Sequence, residues 1–299
     1  MRRPRPNENG DETGMILVNV LMFVAIASGM VLLMINREEL ALDRGLRTRE
    51  AARAIAAVRG GELSAIVALR RDAETAAGAD YPGEPWGALS ESGAPIAGGS
   101  FDLAISDAEG RFNINSVRSG EAGSLILFQA IANSVGLDDD DMNVVIQMIR
   151  LKGPITDLRP LATMDYDPAM LERLGRLVTA LPGNTTINLN AASEELLGVI
   201  FRDPLVAARL AAIRKRTGFL TPQDLIDQKA TMPWGASFRS TTFWVRTRAT
   251  IGGTTQQSAT LIKRRYRPDG KAEAVPIERW RNAAVPPDAP AFVEKATTD

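Results

Sequence analysis

Residues Met15–Ile35 read MILVNVLMFVAIASGMVLLMI, and this stretch decides how the rest of the chain is organised. Only Asn19, Ser28 and Gly29 interrupt its apolar character. As a helix it reaches about 32 Å, enough to cross a bilayer core of about 30 Å. A secretory signal has a shorter apolar core, roughly 7–15 residues, followed by a small-residue cleavage site. Here the run is followed by Asn36-Arg37-Glu38-Glu39, so a spanning helix is the expectation. Upstream lies a hydrophilic leader, Met1–Thr13, with Gly14 set directly against the apolar run. Arg2, Arg3 and Arg5 in that leader favour a cytoplasmic N-terminus, which puts the bulk of the chain in the periplasm.

The 299 residues, 45% hydrophobic with net charge −1, leave room for an anchor and one or two folded units. Near-neutral charge gives no electrostatic case for nucleic acid as a main partner. The chain has no Cys and no His. Disulfides and thiol chemistry are therefore excluded, and the commonest general base and metal ligand is missing. Carboxylate-only catalysis stays open in principle. No two acids pair convincingly, so the expectation is no enzyme, no catalytic or cofactor-binding residue and no metal site.

Downstream of the span, residues 37–71 contain no Pro, and Ile55, Val58, Leu63, Ile66 and Leu69 share one helical face. The spacing predicts that the helix continues as a stem packed on a sheet or as an independent stalk. Gly45 and Gly60-Gly61 are points where it could bend. A Gly- and Pro-rich loop follows over 77–99, with Trp86 as its one large anchor. Phe101, Leu103 and Ile105 then alternate with Asp102, Ala104 and Ser106, the period of a half-buried strand. A turn at Asp107–Gly110 and a second strand from Arg111 complete a predicted hairpin.

From 121 to about 235 the pattern becomes helical. Gly136 and Gly153-Pro154 read as stops, and Thr156, Pro168, Ser193, Pro204 and Thr221 as starts. The acidic run Asp138–Asp141 suits a helix N-terminus, where carboxylates meet the helix dipole, and read alone it is also a possible cation site. Strands return with Phe243, Val245, Thr247, Ala249 and Ile251 on one face, a turn at Gly252-Gly253, a partner over 259–265 and a last strand over 275–280. The Pro-rich tail, 283–299, is expected to be disordered.

Gly14 against an apolar run resembles the leader junction of type IV pilins and type II secretion pseudopilins. In those families a prepilin peptidase cuts after the glycine and methylates the new N-terminus, which would be Met15. The same residues also read as a plain uncleaved anchor. Most pilins carry Glu at the fifth mature position, and Asn19 stands there instead. That departure, together with Asp107-Ala-Glu-Gly-Arg-Phe-Asn-Ile-Asn115 after a strand, resembles the minor pseudopilin K family of type II secretion. The resemblance implies an α+β fold: a pilin-like long first helix packed on an antiparallel sheet, with a large all-helical, helix-hairpin-helix or SAM-like insertion. On that template the chain divides into a leader (1–14), a transmembrane helix (15–35), a stem (36–76), the first part of a β domain (77–120), the insertion (121–235), closing strands (236–282) and the tail (283–299).

The resemblance also implies a place at the tip of the pseudopilus, assembly with minor pseudopilins I and J, processing by prepilin peptidase at the inner membrane, and contact with secreted cargo or the outer-membrane channel. The K family carries a calcium-binding Asp-Trp-x-Asp-x-Asp segment. Here Ile146–Leu151 has no acidic cluster after it, so no cofactor is expected there. Thr186–Leu196 resembles the opening of a helix-hairpin-helix unit, which makes a membrane-anchored, competence-like DNA-binding protein the alternative. Its hairpin would be Phe201-Arg202-Asp203-Pro204, where Pro204 lacks an amide hydrogen and Asp203 repels phosphate.

Overall fold

A computed structural model describes residues 9–75, 78–267 and 271–292, with side chains from Met15 onward. The chain divides into two compact units, Met1–Arg53 and Ala54–Asp299. Helix α1, Asn9–Thr75, contributes to both. Within the first unit every side chain from Met15 to Ile35 is exposed. This is the one described helix long and apolar enough to cross a membrane. An apolar surface of this extent is stable only in lipid or against other apolar helices.

The second unit begins with the last turns of α1, whose buried positions are Ala54, Val58, Gly61, Glu62, Ala65, Leu69 and Asp72. The period is helical, but the face is rotated from the expected one. Leu63 points outward at 61% exposure and Glu62 is buried. Small residues explain the rotation, because they let the helix approach the sheet. A Cβ at position 61 would stand 2.4 Å from the Phe101 ring.

The sheet is five-stranded and antiparallel, in the order β1-β2-β7-β8-β9. Its strands are β1 (Glu91–Ile96), β2 (Gly99–Asp107), β7 (Thr242–Ile251), β8 (Thr254–Tyr266) and β9 (Ala272–Arg281). β1 falls in the stretch expected to be loop. It is an edge strand that tolerates Pro95, and its pairing to β2 shifts register between Glu91 and Ala94. Leu103, Ile105, Phe243, Val245 and Ile262 meet Ala65, Leu69 and Trp86 on the α1 side.

The predicted hairpin after β2 does not form. β3, Phe112–Asn113, pairs in parallel with β4, Val178–Thr179, and the chain then enters a 3-10 turn over Ile114–Ser119. Phe112, Ile114 and Val117 are buried in the core of the helical unit, so that unit starts earlier than 121. It comprises α2 (Ala122–Val135), α3 (Asp139–Lys152), α4 (Arg159–Ala162), α5 (Pro168–Leu177), β5 (Ile187–Asn188), α6 (Glu194–Phe201), α7 (Pro204–Thr217), α8 (Pro222–Asp227) and β6 (Ala236–Ser237), which pairs with β5. Glycines in the left-handed region end α2 and α7, at Gly136 (φ 85°) and Gly218 (φ 93°).

The expected disorder of 283–299 is corrected for its described part. Val285 and Ala289 pack against Trp244, Leu261 and Trp280 on the sheet face opposite α1. Asp288 pairs with Arg111 at 3.0 Å and accepts from Thr179 Oγ1 at 3.2 Å. The Phe292 ring lies 4.6 and 4.5 Å from the guanidinium carbons of Arg246 and Arg248. Proline content suggested a free tail, but aromatic, apolar and charged groups on the sheet hold it down. Residues 293–299 lie outside the described residues.

Candidate functional site

The processing junction sits inside α1, which runs unbroken through Gly14 and Met15. Asn19 follows Met15 by four residues, so the two share a helix face about one turn apart. Both are exposed. A chain beginning at Met15 would therefore present its amino group and Asn19 along one edge of the same helix, with an amide where a carboxylate would make a charge pair.

The stem is tied to the sheet by polar bonds as well as packing. Glu62 Oε2 accepts from Thr260 Oγ1 and from Arg279 Nε, both at 2.8 Å. Burial pushes its carboxyl up, but the bonds from Arg279 and Thr260 outweigh this and hold it below the usual range. At the end of α1, Asp72 accepts from Arg264 Nη1 at 3.0 Å, and Arg264 Nη2 binds Asp80 and the Ser240 carbonyl. Arg264 is 1% exposed, with the Phe243 ring 4.8 Å away. Glu84, beside it, accepts from the Tyr81 amide and from Trp86 Nε1, each at 2.9 Å. Burial raises the carboxyls of both Asp72 and Glu84.

Where the helical unit meets the sheet, Asp107 accepts from Asn188 Nδ2 at 2.7 Å, Ser240 Oγ at 2.6 Å and the Glu109 amide at 2.7 Å. These three donors favour its charged form, yet burial, with Glu109 nearby, pushes its carboxyl up to about 7. The folded state therefore holds a proton that the unfolded chain releases near 3.8. The sign follows from linkage: the stability is full below pH 3.8 and is lost progressively as pH rises through about 7. We expect the thermal midpoint of the full chain to fall between pH 5 and 8, and Asp107→Asn to flatten that slope. Parallel slopes in the two proteins would show that Asp107 is ionised throughout.

The helical unit repeats one device that sequence reasoning passed over. Asn113 Oδ1 accepts from the amide of Asn115, and Asn188 Oδ1 from that of Asn190. Each second Asn then acts as a short strand. Asn115 exchanges bonds with the amide and carbonyl of Ile155, and Asn190 does so with Leu220. Each partner lies just beyond a 14-residue helix, α3 or α7. The signal was legible as Phe112-Asn-Ile-Asn115 against Ile187-Asn-Leu-Asn190. The unit is thus two helix-hairpin-helix halves, each closed by an Asn-x-Asn clasp.

Neither hairpin is available to phosphate. Asp138 caps α3 by accepting from the Asp141 amide at 2.8 Å, and Asp203 caps α7 by accepting from Leu205 and Val206. In each hairpin the chain's own carboxylate occupies amides that a phosphate would need. The acidic run Asp138–Asp141 therefore serves as a helix start. The segment Ile146–Leu151 lies in α3, with Ile146, Met148 and Ile149 buried and Gln147, Arg150 and Leu151 exposed, and Arg150 Nε donates to the Val117 carbonyl at 3.2 Å.

No family model matches the chain. It is 25% identical over 251 residues to type II secretion system protein K of Pseudomonas aeruginosa, covering 71% of this chain and 75% of that protein. Its fold matches a chain in the crystal structure of the GspK–GspI–GspJ complex from the type 2 secretion system of enterotoxigenic Escherichia coli. The TM-score is 0.59 at 15% identity, over 80% of this chain and 99% of that one. The chain thus shares its overall fold with that complex chain, and in sequence it is similar to the type II secretion system protein K.

Proposed function

We propose that this chain is a membrane-anchored minor pseudopilin that primes the type II secretion pseudopilus and stands at its tip, with its N-terminus cytoplasmic and residues beyond 35 periplasmic. The observation that carries the reading is that one protein type is matched twice, by sequence over most of the chain and by fold over nearly all of a K-containing complex subunit. Minor pseudopilins I and J are the expected partners, and no catalytic activity is assigned to the chain. The apolar span stores the subunit in lipid until its helix transfers to the filament core. Asn19 offers no charge to a subunit above, which favours the end position. Calcium binding at the K-family segment is not expected, because Ile146–Leu151 carries no acidic residue and Arg150 is committed to a carbonyl.

The DNA-binding reading has no comparable support, given the self-capped hairpins. The test is co-purification of the detergent-solubilised full chain with its genomic I and J counterparts. Retention of both through size exclusion is the expected result. A chain that elutes alone, and shifts duplex DNA at low salt, would overturn it.

A further inference from the structure

The end of α1 and the loop that follows bury three carboxylates around one guanidinium. Asp72, Asp80 and Glu84 are 3%, 2% and 4% exposed. One carboxylate oxygen of each lies within 4.8 Å of the other two. Oxygens bound to one calcium ion at 2.3–2.6 Å stand no farther apart than about 5 Å, so the three oxygens fit around a single ion.

Their other partners do not balance the charge. Arg264 binds Asp72 and Asp80, the second Asp80 oxygen accepts from the Ser240 amide at 2.8 Å, and among the described residues Glu84 is held by the neutral donors of Tyr81 and Trp86. Arg239, the next guanidinium, is stacked 4.4 Å over the Tyr266 ring and acts on Asp72 through space. Asp72 Oδ1 is fully buried and has no hydrogen-bond partner among the described residues. A buried carboxylate oxygen without a partner is costly, and so is excess negative charge at low dielectric.

We propose that Asp72, Asp80 and Glu84 bind one hard divalent cation of the calcium type, which clamps the end of the stem to the loop that leads into β1. Oxygen-only donors select against soft metals, and a water-poor pocket selects against magnesium, which keeps its waters. Arg264 stays on Asp72 Oδ2 and Asp80 Oδ1, which leaves Asp72 Oδ1 free for the ion, and its own charge limits the site to one ion. The site is separate from α3 and does not depend on the assignment to secretion.

Trp86 supplies the readout, since its indole nitrogen is 2.9 Å from Glu84 Oε2. Terbium added to the full chain in detergent should give emission sensitised by tryptophan excitation and displaced by calcium. Saturating calcium should raise the thermal midpoint by on the order of 5 °C. Asp72→Asn and Glu84→Gln should lose both responses. If either variant fails to fold, Trp86→Phe decides: it should keep the calcium shift and lose the emission. Absence of both signals in the unaltered chain would overturn the proposal. Loss of the emission on changing Asp139, Asp140 and Asp141 to Asn would overturn it as well. So would a midpoint that falls with pH identically in calcium and in chelator, which would mean that protons meet the excess charge.

Discussion

Replacing Arg264 with methionine should lower the unfolding free energy of the second unit by about 3–5 kcal/mol, because it leaves buried carboxylates without their counter-charge. Arg264 bonds Asp72 at the end of α1, Asp80 in the following loop and Ser240 before β7, so one side chain ties together three segments distant in sequence. Its loss leaves Asp72 and Asp80 buried without their guanidinium partner, Asp80 keeping only the Ser240 amide at 2.8 Å. Urea unfolding of the full chain in detergent, followed by the fluorescence of Trp86 and Trp244, measures the effect. Pairing Arg264→Met with Asp72→Asn should recover part of the loss, since one buried charge is then removed along with its partner. A change below about 1 kcal/mol would mean that the cluster is solvated in solution and that the ion pair is only a surface one.

The second large effect is all-or-none and concerns Gly14. With prepilin peptidase present, the chain is expected to begin at Met15, methylated at the new amine. Gly14→Val should leave the leader in place, because a branched side chain at the scissile position obstructs the close approach that a bare backbone permits. An intact leader keeps the amino group on Met1, 18 positions from Asn19 rather than four, so filament priming and export should fail with it. Intact mass of the purified chain, with and without the peptidase, is the measurement. An unchanged N-terminus under both conditions would make α1 a permanent anchor and remove the pseudopilin reading of the leader.

Much of the architecture was legible because it rests on local rules. The apolar run 15–35, the alternation along β7 and the turn at Gly252-Gly253 are periodic or conformational signals that need no partner to be read. Helix starts at Ser193 and Thr221 are real caps, accepting from the Leu196 and Asp224 amides. What failed were inferences about pairing. Residues 111–115 had strand composition, but Asn113 and Asn115 turned their side chains on Leu181 and Ile155 and drew the segment into the helical core. The face of α1 was misjudged around Leu63 because Glu62 gains Arg279 and Thr260 only once the sheet is in place.

The sequence by itself therefore determined the membrane-length helix, the alternation along β7, the helix caps at Ser193 and Thr221 and the exclusion of His- and Cys-based chemistry. Each of these depends on residue type and short-range spacing. Only the tertiary structure decided which strands are neighbours, that the tail through Phe292 lies on the sheet, and that Asp72, Asp80, Glu84 and Arg264 share one buried cluster. Those outcomes join residues as many as 192 positions apart, as in the Arg264–Asp72 bond. Their energy comes from removing charge and apolar surface from water together, a property of the packed chain that no local window contains.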